Sequence, residues 1–440
     1  MKNIFPLNML AGAMVVLTPF SVVYANAQSE SNGFVEDSHL NLISRNYYWH
    51  QTGDLGHQRD WTQGEMLDFT SGFTQGLVGL GADAFAYGAV KLDGQKGRTG
   101  SMIQPFDSQG EPSDSYSKAG ASVKVRISNS TLKYGDLQPQ VPVFAVGNYY
   151  LLNQTATGFM FDTTDVPGTS ISAGHFTSGT GYISTAHDGE LGLSYAGVNT
   201  RQVDYLGGVY AFGEHASVTL YGSRYEDLMD QYYTNLNYAM PLSDSNSLTF
   251  DFNLYRSLDS GSANAGDINV TAASISVAYA TGAHTFTIAG QRNHGDQPQD
   301  YAGLGGRSPG VNAGAFSNGI FLANAAEISD FNAPNEQSLQ LKYDLNMAEF
   351  GIPGMTLSAK HVRGDDIDGT KVDESSAYFG FYGKSEKEHE TDVAAQYIVQ
   401  AGPAKDLTAK LFQSWHSGDD SVGGHVMQTR LVLSYPLAIF

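Results

Sequence analysis

Lys124 and Arg126 stand two residues apart in mid-segment, where Ala121, Val123, Val125 and Ile127 alternate with Ser122, Lys124, Arg126 and Ser128. A period of two puts successive side chains on opposite faces of a strand, so both cations share a polar face. The same phase places Arg45 with Asn41 and Tyr47, Lys360 with Thr356 and Ser358, and Lys410 with Thr408. Arg430 goes with Val432 and Ser434, and Lys133 lies opposite Leu132 and Tyr134. Fixed cations on successive rungs of a narrow wall can replace the water around a carboxylate. Two unit charges 4 Å apart are worth about 4 kcal/mol at an effective dielectric of about 20, and several shallow steps let an ion leave as well as enter. Each cation also has an ordinary alternative: snorkelling to headgroups from a strand end, or pairing with a neighbouring acid.

Other chemistries find little support. The 12 His include no HExxH pair and no tight cluster, and there is no Cys, so neither a metal site nor a disulfide framework is expected. No G-x-S-x-G elbow occurs. Gly79-Leu80-Gly81-Ala82-Asp83-Ala84 matches a dinucleotide fingerprint in letters, but Val78, Leu80, Ala82 and Ala84 alternate as a strand and no helix follows. A net charge of −21 argues against nucleic acid as a partner, which needs a clustered basic surface. No cofactor is expected. A membrane-barrel lipase or protease stays as an alternative, with His175, His187 and Ser184 as the residues that would have to converge.

The elements that must carry these residues are strands. Leu248, Phe250, Phe252 and Leu254 share one face, with Thr249, Asp251, Asn253 and Tyr255 on the other. Ile275, Val277 and Tyr279 precede the turn Thr281-Gly282-Ala283-His284, and Phe286 and Ile288 follow it, which predicts a hairpin. Val393, Ala395, Tyr397 and Val399 form another apolar face, as do Leu431, Leu433 and Tyr435. At the start, Lys2, an apolar stretch from Ile4 to Tyr24 and Ala25-Asn26-Ala27 read as a secretory signal peptide cut after Ala27, leaving residues 28–440 as the mature chain.

No linker or change of texture divides that chain, so one continuous domain is expected. The 50 Gly, 25 Tyr and 23 Phe suit many short twisted strands with aromatic rims. Secretion, alternation without helical period and a terminal Phe440 together favour an all-β, transmembrane antiparallel β-barrel over a soluble sandwich. In hydrocarbon every backbone group must be paired internally, so the last strand has to meet the first. At about 23 residues per strand and connection the chain holds about 18 strands, wide enough for an aqueous lumen.

Several stretches in this order resemble the OprD family of porins: FVEDSHLNLISRNYYW at 34–49, ASVKVRISNSTLKYGDLQPQVPV at 121–143, HGDQPQDY at 294–301 and FLANAAEISDFNAPNEQS at 321–338. FGIPGMTLSAKHVRGDDIDG at 350–369 and YIVQAGPAKDL at 397–407 complete the set. The resemblance implies an outer-membrane barrel constricted by inward-folded third and seventh loops. It also implies passive uptake of small carboxylate-bearing solutes along a basic ladder facing acidic or polar groups. Arg45, Lys124, Arg126, Lys133, Lys360, Lys410 and Arg430 would form that ladder, and Asp296, Asp300 and Asp330 would be the seventh-loop acids, ordinary loop solvation being their alternative. Members often carry D-x-R-L-L-P-Q-T on the third loop; here Asn148-Tyr149-Tyr150-Leu151-Leu152-Asn153-Gln154-Thr155 puts Tyr150 where the Arg would be. Tyr149 and Tyr150 then either favour flat aromatic acids by stacking, or pack the loop against the wall. Amino acids and peptides are further candidate solutes. The expected partners are outer-membrane lipid and lipopolysaccharide, and the expected state is a monomer or a loose homotrimer.

Overall fold

The computed structural model describes residues 26–305 and 319–440. Most of the expected signal peptide, residues 1–25, lies outside them. Eighteen long antiparallel strands form the wall among the described residues. In chain order they are β1 (His39–Gly53), β2 (Gln58–Thr70), β3 (Gly79–Gly94), β4 (Ser115–Ile127), β5 (Ser130–Leu137), β6 (Thr155–Thr163), β7 (Thr169–Thr180), β8 (Val203–Phe212) and β9 (Ala216–Tyr225). The second half comprises β10 (Met229–Ser243), β11 (Asn246–Asp259), β12 (Asn269–Thr281), β13 (His284–His294), β14 (Gln337–Asn346), β15 (Met355–Asp368), β16 (Lys384–Ile398), β17 (Thr408–Gly418) and β18 (His425–Ala438).

Each strand pairs with its sequence neighbours, and β18 closes onto β1 with Asn41 opposite Ala438 and Gly53 opposite Val426. The last residues take part in the closure. Leu40 N donates to the Phe440 carbonyl at 3.2 Å and Ile439 N to the Leu40 carbonyl at 2.8 Å, so no edge is left unpaired at the seam.

Alternation decides which face is which. Val123, Val125 and Ile127 are exposed on the outside of β4, while Tyr116, Lys118, Ser122 and Lys124 are buried toward the lumen. Leu220, Leu236, Phe250, Ile275, Ile288 and Leu341 continue the apolar outer belt across β9–β14. This inverts a soluble protein: the oily face meets lipid and the polar face lines the interior. The hairpin around Gly282 forms as the sequence implied, with Thr281 opposite His284. The Gly79–Ala84 stretch opens strand β3, so its dinucleotide-like letters carry no phosphate loop.

Short turns join strands on the side of the chain ends, and longer loops join them on the other. Loop 3 (138–154), loop 4 (181–202), the described parts of loop 7 (295–305 and 319–336) and loop 8 (369–383) fold inward. Phe144 of loop 3 packs on Phe176 and Tyr205 with ring centroids 5.0 and 6.3 Å apart, and the loop's Pro142 and Val143 carbonyls accept from the Tyr255 and Tyr225 hydroxyls at 2.9 and 2.8 Å. At its tip Leu151 and Leu152 join Tyr47, Trp49, Met66 and Tyr87 of the β1–β3 wall, so the loop crosses the lumen. Loop 4 pairs with loop 7 through Leu191–Leu193 against Ala302–Leu304.

Candidate functional site: a cationic wall facing two inward loops

Three of the expected cations climb one wall as a staircase. Across the β1–β18–β17 register Arg45 is level with Ser434 and Thr408, Tyr47 with Val432 and Lys410, and Trp49 with Arg430 and Phe412. Lumen-facing residues recur every second position, about 6.8 Å along a strand. Arg45, Lys410 and Arg430 therefore occupy three successive rows, rising away from the chain ends.

Their electrostatic states differ. Arg45 donates to the Tyr150 and Leu151 carbonyls at the tip of loop 3 and meets no carboxylate among the described residues. Lys410 has no hydrogen bond or ion pair with another described residue. Arg430 is 1% exposed, pairs with Glu327 of loop 7 and the Tyr149 hydroxyl, and sits 5.4, 5.0 and 5.2 Å from the ring centres of Trp49, Tyr149 and Phe412. Burial pushes the Glu327 carboxyl up, but Arg430, Lys360 and Tyr149 outweigh it and hold the group ionised below its ordinary range. Gly64 faces Arg45 from β2; a Cβ there would come within 2.9 Å of Leu151 and 3.1 Å of Leu152, so only glycine leaves room for the loop tip.

A second station lies lower. Lys124 and Lys133 are directly opposite across β4 and β5, both facing inward. Lys124 and Arg126 are not mid-strand, as the alternation had suggested, but close to the end of β4 at Ile127, where the pairing with β5 turns over. There Lys124 binds Asp83 and donates to the Ser71 carbonyl at 2.8 Å, while Arg126 donates to Gln28 at 3.0 Å and lies 4.0 Å over the Phe73 ring. Lys133 has no hydrogen bond or ion pair among the described residues. Lys360 faces inward on β15 but is engaged, donating to the Ala325 carbonyl of loop 7 at 3.1 Å and lying 3.3 Å from Asp392.

The seventh-loop acids do not act as a set. Asp300 is buried and accepts from the Tyr195, Ala196 and Tyr301 amides at 2.9, 2.9 and 2.7 Å and from the Tyr378 hydroxyl at 3.0 Å. It clamps loops 4, 7 and 8 together, which corrects its placement as a constriction group. Asp296, at the start of loop 7, is half-buried and makes no hydrogen bond to another described residue. Asp330 stays in that set: it accepts from the Tyr195 and Tyr301 hydroxyls at 2.7 and 2.9 Å. Burial among the loops raises its pKa, and those two hydroxyls and Lys360 offset part of the rise.

Tyr149 and Tyr150 meet edge to face at 5.5 Å, and Tyr150 meets Tyr182 in the same way at 4.6 Å. With the Tyr149 hydroxyl between Glu327 and Arg430, these rings pin loop 3 to loop 7 and to the wall. His175, His187 and Ser184 have separate partners: His175 pairs with Asp204 at 2.7 Å, His187 lies 3.5 Å from Asp136, and the Ser184 hydroxyl accepts from Ala186 N at 3.2 Å.

Three charged residues of the candidate site went unread. Lys118 faces inward on β4 and donates to the Gly181 carbonyl at 2.9 Å and the Tyr182 carbonyl at 3.3 Å; running the Ser122 phase back four residues would have found it. Lys342 is level with Lys360 and lies 3.1 Å from Asp344, and alternation between Leu339, Leu341 and Leu345 marks it. Glu327 lies in an aperiodic loop, where no pattern could mark it.

A closed barrel with an apolar exterior, a charged interior and a constriction of inward loops defines a transmembrane diffusion channel. Residues 32–439 match the outer membrane porin family OprD, and the chain belongs to that family of bacterial outer-membrane porins. It is 46% identical over 429 residues to Porin D of Pseudomonas aeruginosa, covering 96% of each chain. The crystal structure of Pseudomonas aeruginosa OprD superposes with a TM-score of 0.83 at 44% identity, over 96% of this chain and 100% of that one. Pseudomonas aeruginosa OpdK, crystallised with vanillate, is 28% identical with a TM-score of 0.80, over 92% of this chain and 100% of its own. In such barrels the short turns face the periplasm and the long loops the exterior.

Proposed function

We propose that this porin passes small carboxylate-bearing solutes along the β17–β18–β1 wall, with flat aromatic acids favoured. The observation that carries the reading is the placement of Arg45, Lys410 and Arg430 on consecutive rows facing loops 3 and 7. Arg45 and Lys410 form no ion pair with a carboxylate among the described residues, so a solute carboxylate is their natural close partner. The relative crystallised with vanillate, an aromatic carboxylate, supports the substrate class. Because the tyrosines are engaged in packing, the aromatic preference is attributed to the apolar lining of Trp49, Tyr149 and Tyr150 rather than to a free stacking face.

Amino acids form a second reading, favoured by Asp330, which supplies a negative group for an ammonium across from the cations. Liposome swelling with benzoate and with arginine separates the two. Faster entry of benzoate supports the aromatic reading, and equal rates remove it. The lower station is tested by Lys124→Ala combined with Arg126→Ala, which is expected to reduce carboxylate flux and leave leakage of uncharged sugars nearly unchanged. Unaltered carboxylate flux in that variant would show that the path avoids the β4 wall.

A further inference from the structure

Behind loop 7, the wall carries more carboxylate than the cations around it balance. Glu388, Glu390 and Asp392 alternate on the inward phase of β16, all buried. The carboxyl groups of Glu390 and Asp392 lie within hydrogen-bonding distance of each other. Glu390 accepts from the Ile328 and Ser329 amides of loop 7 at 2.9 Å each. Both oxygens of Asp392 are without a hydrogen bond among the described residues. Lys360 lies 3.3 Å from one of them but donates to the Ala325 carbonyl instead. The other charges facing this spot are already matched: His416 pairs with Glu388 at 2.7 Å, and Arg430 pairs with Glu327. Glu336 of loop 7, pushed well above the ordinary carboxyl range by burial and by Glu388, holds a proton of its own. Glu390 and Asp392 therefore share the single ammonium of Lys360, and a buried excess charge is costly until it is neutralised.

The neighbouring strands bring further oxygens to the same spot. Asp392 is directly opposite Ser414 of β17, and Ser414 is directly opposite Gln428 of β18. Side chains of such pairs start about 4.5–5.5 Å apart, a spacing fixed by the pairing itself rather than by the tilt of the strands. Ser414 is 1% exposed, Gln428 3% and Asp392 7%. Neither the Ser414 hydroxyl nor the Gln428 side-chain oxygen has a hydrogen-bond partner among the described residues. The Gln428 amide nitrogen donates at 2.8 Å to Gln51 of β1, on the side away from Ser414, which leaves the oxygen for the Ser414 side. We propose that Asp392, Ser414 and Gln428 hold a monovalent alkali cation, which supplies the positive charge that Lys360 alone does not. A set of oxygen donors without nitrogen or sulfur suits a hard cation, and one charge rather than two restores neutrality. The ion separates Glu390 from Asp392 electrostatically and so steadies the grip of Glu390 on the base of loop 7.

The purified porin in detergent, moved from choline chloride to sodium chloride at constant ionic strength, tests this. The temperature at which heat-modifiable gel migration is lost is expected to rise with sodium and saturate. Ser414→Ala, which keeps every charge, should raise the half-saturating sodium concentration about ten-fold, and Asp392→Asn should abolish the dependence. Calcium chloride at the same ionic strength should stabilise no more than sodium. In crystals soaked with thallium(I), an alkali-ion surrogate, an anomalous peak is expected in contact with Asp392, Ser414 and Gln428. No sodium dependence in the parent, an unchanged dependence in either variant, a larger effect of calcium, or ordered water alone where thallium is expected would each overturn the assignment.

Discussion

Glu327→Gln gives the sharpest test of how loop 7 sets selectivity. Arg430 stands on the third row of the staircase, but Glu327 cancels its charge, so removing the carboxylate adds one net positive charge beside the path. A solute charge about 8 Å from that site would feel about 2 kcal/mol at an effective dielectric of about 20. Screening over about 8 Å at 0.15 M salt leaves about 0.8 kcal/mol, and screening over about 30 Å at 0.01 M leaves about 1.6 kcal/mol. Because the charge acts with opposite sign on anion and cation, the anion-to-cation permeability ratio should then rise roughly fifteen-fold at the higher salt and roughly two-hundred-fold at the lower. Reversal potentials across a planar bilayer under a salt gradient measure it. Breaking a buried ion pair typically costs about 3–5 kcal/mol, so folding must be checked by heat-modifiable migration in gels. Loop 7 keeps other anchors: Glu390 accepts from the Ile328 and Ser329 amides at 2.9 Å each, and Lys360 holds Ala325. Tyr149→Phe keeps the charge and should leave the ratio unchanged. A reversal potential in Glu327→Gln that matches the parent at both salts, or moves toward cations, would refute the placement of Arg430 beside the path.

Lys410→Ala should lower benzoate flux more than Lys360→Ala, because Lys410 forms no ion pair among the described residues whereas Asp392 lies 3.3 Å from Lys360; the reverse order in swelling assays would move the path to the β15 wall. Lowering the pH should shift the reversal potential toward anions at a higher pH than ordinary carboxylates allow. Burial raises the Asp330 pKa, so as pH falls this group takes up its proton earlier than an exposed aspartate would, and the cost of holding it ionised, present at neutral pH, is relieved. Asp330→Asn should remove that early part of the pH dependence of the reversal potential, and an unchanged profile would assign it elsewhere. Gly64→Val should displace Leu151 and Leu152 at the loop 3 tip and change single-channel conductance without loss of the barrel; parental conductance would show that the tip does not depend on this gap.

The barrel was legible in the sequence because lipid imposes a strict code. Each strand must turn an apolar side outward, so Val123, Val125 and Ile127 announce a face whatever happens inside, and Phe440 marks the strand that closes the sheet. The same code placed all seven expected cations on the inward phase. What it could not give is the net charge each presents to a solute, because that depends on partners brought in by loops with no period. Arg430 and Lys410 look alike in the sequence, yet one is ion-paired by Glu327, more than a hundred positions away in chain order, while the other forms no ion pair among the described residues and feels the same Glu327 only at a distance. Asp300 and Asp330 likewise share a loop and a side chain, yet three backbone amides hold Asp300 in a clamp while Asp330 meets only hydroxyls. On the proposed path, selectivity is a property of loop docking on a fixed wall: the strands present the cations in rows, and loops 3 and 7 set which of them are ion-paired. Loop residues such as Glu327 are then expected to change which ions pass without altering the barrel.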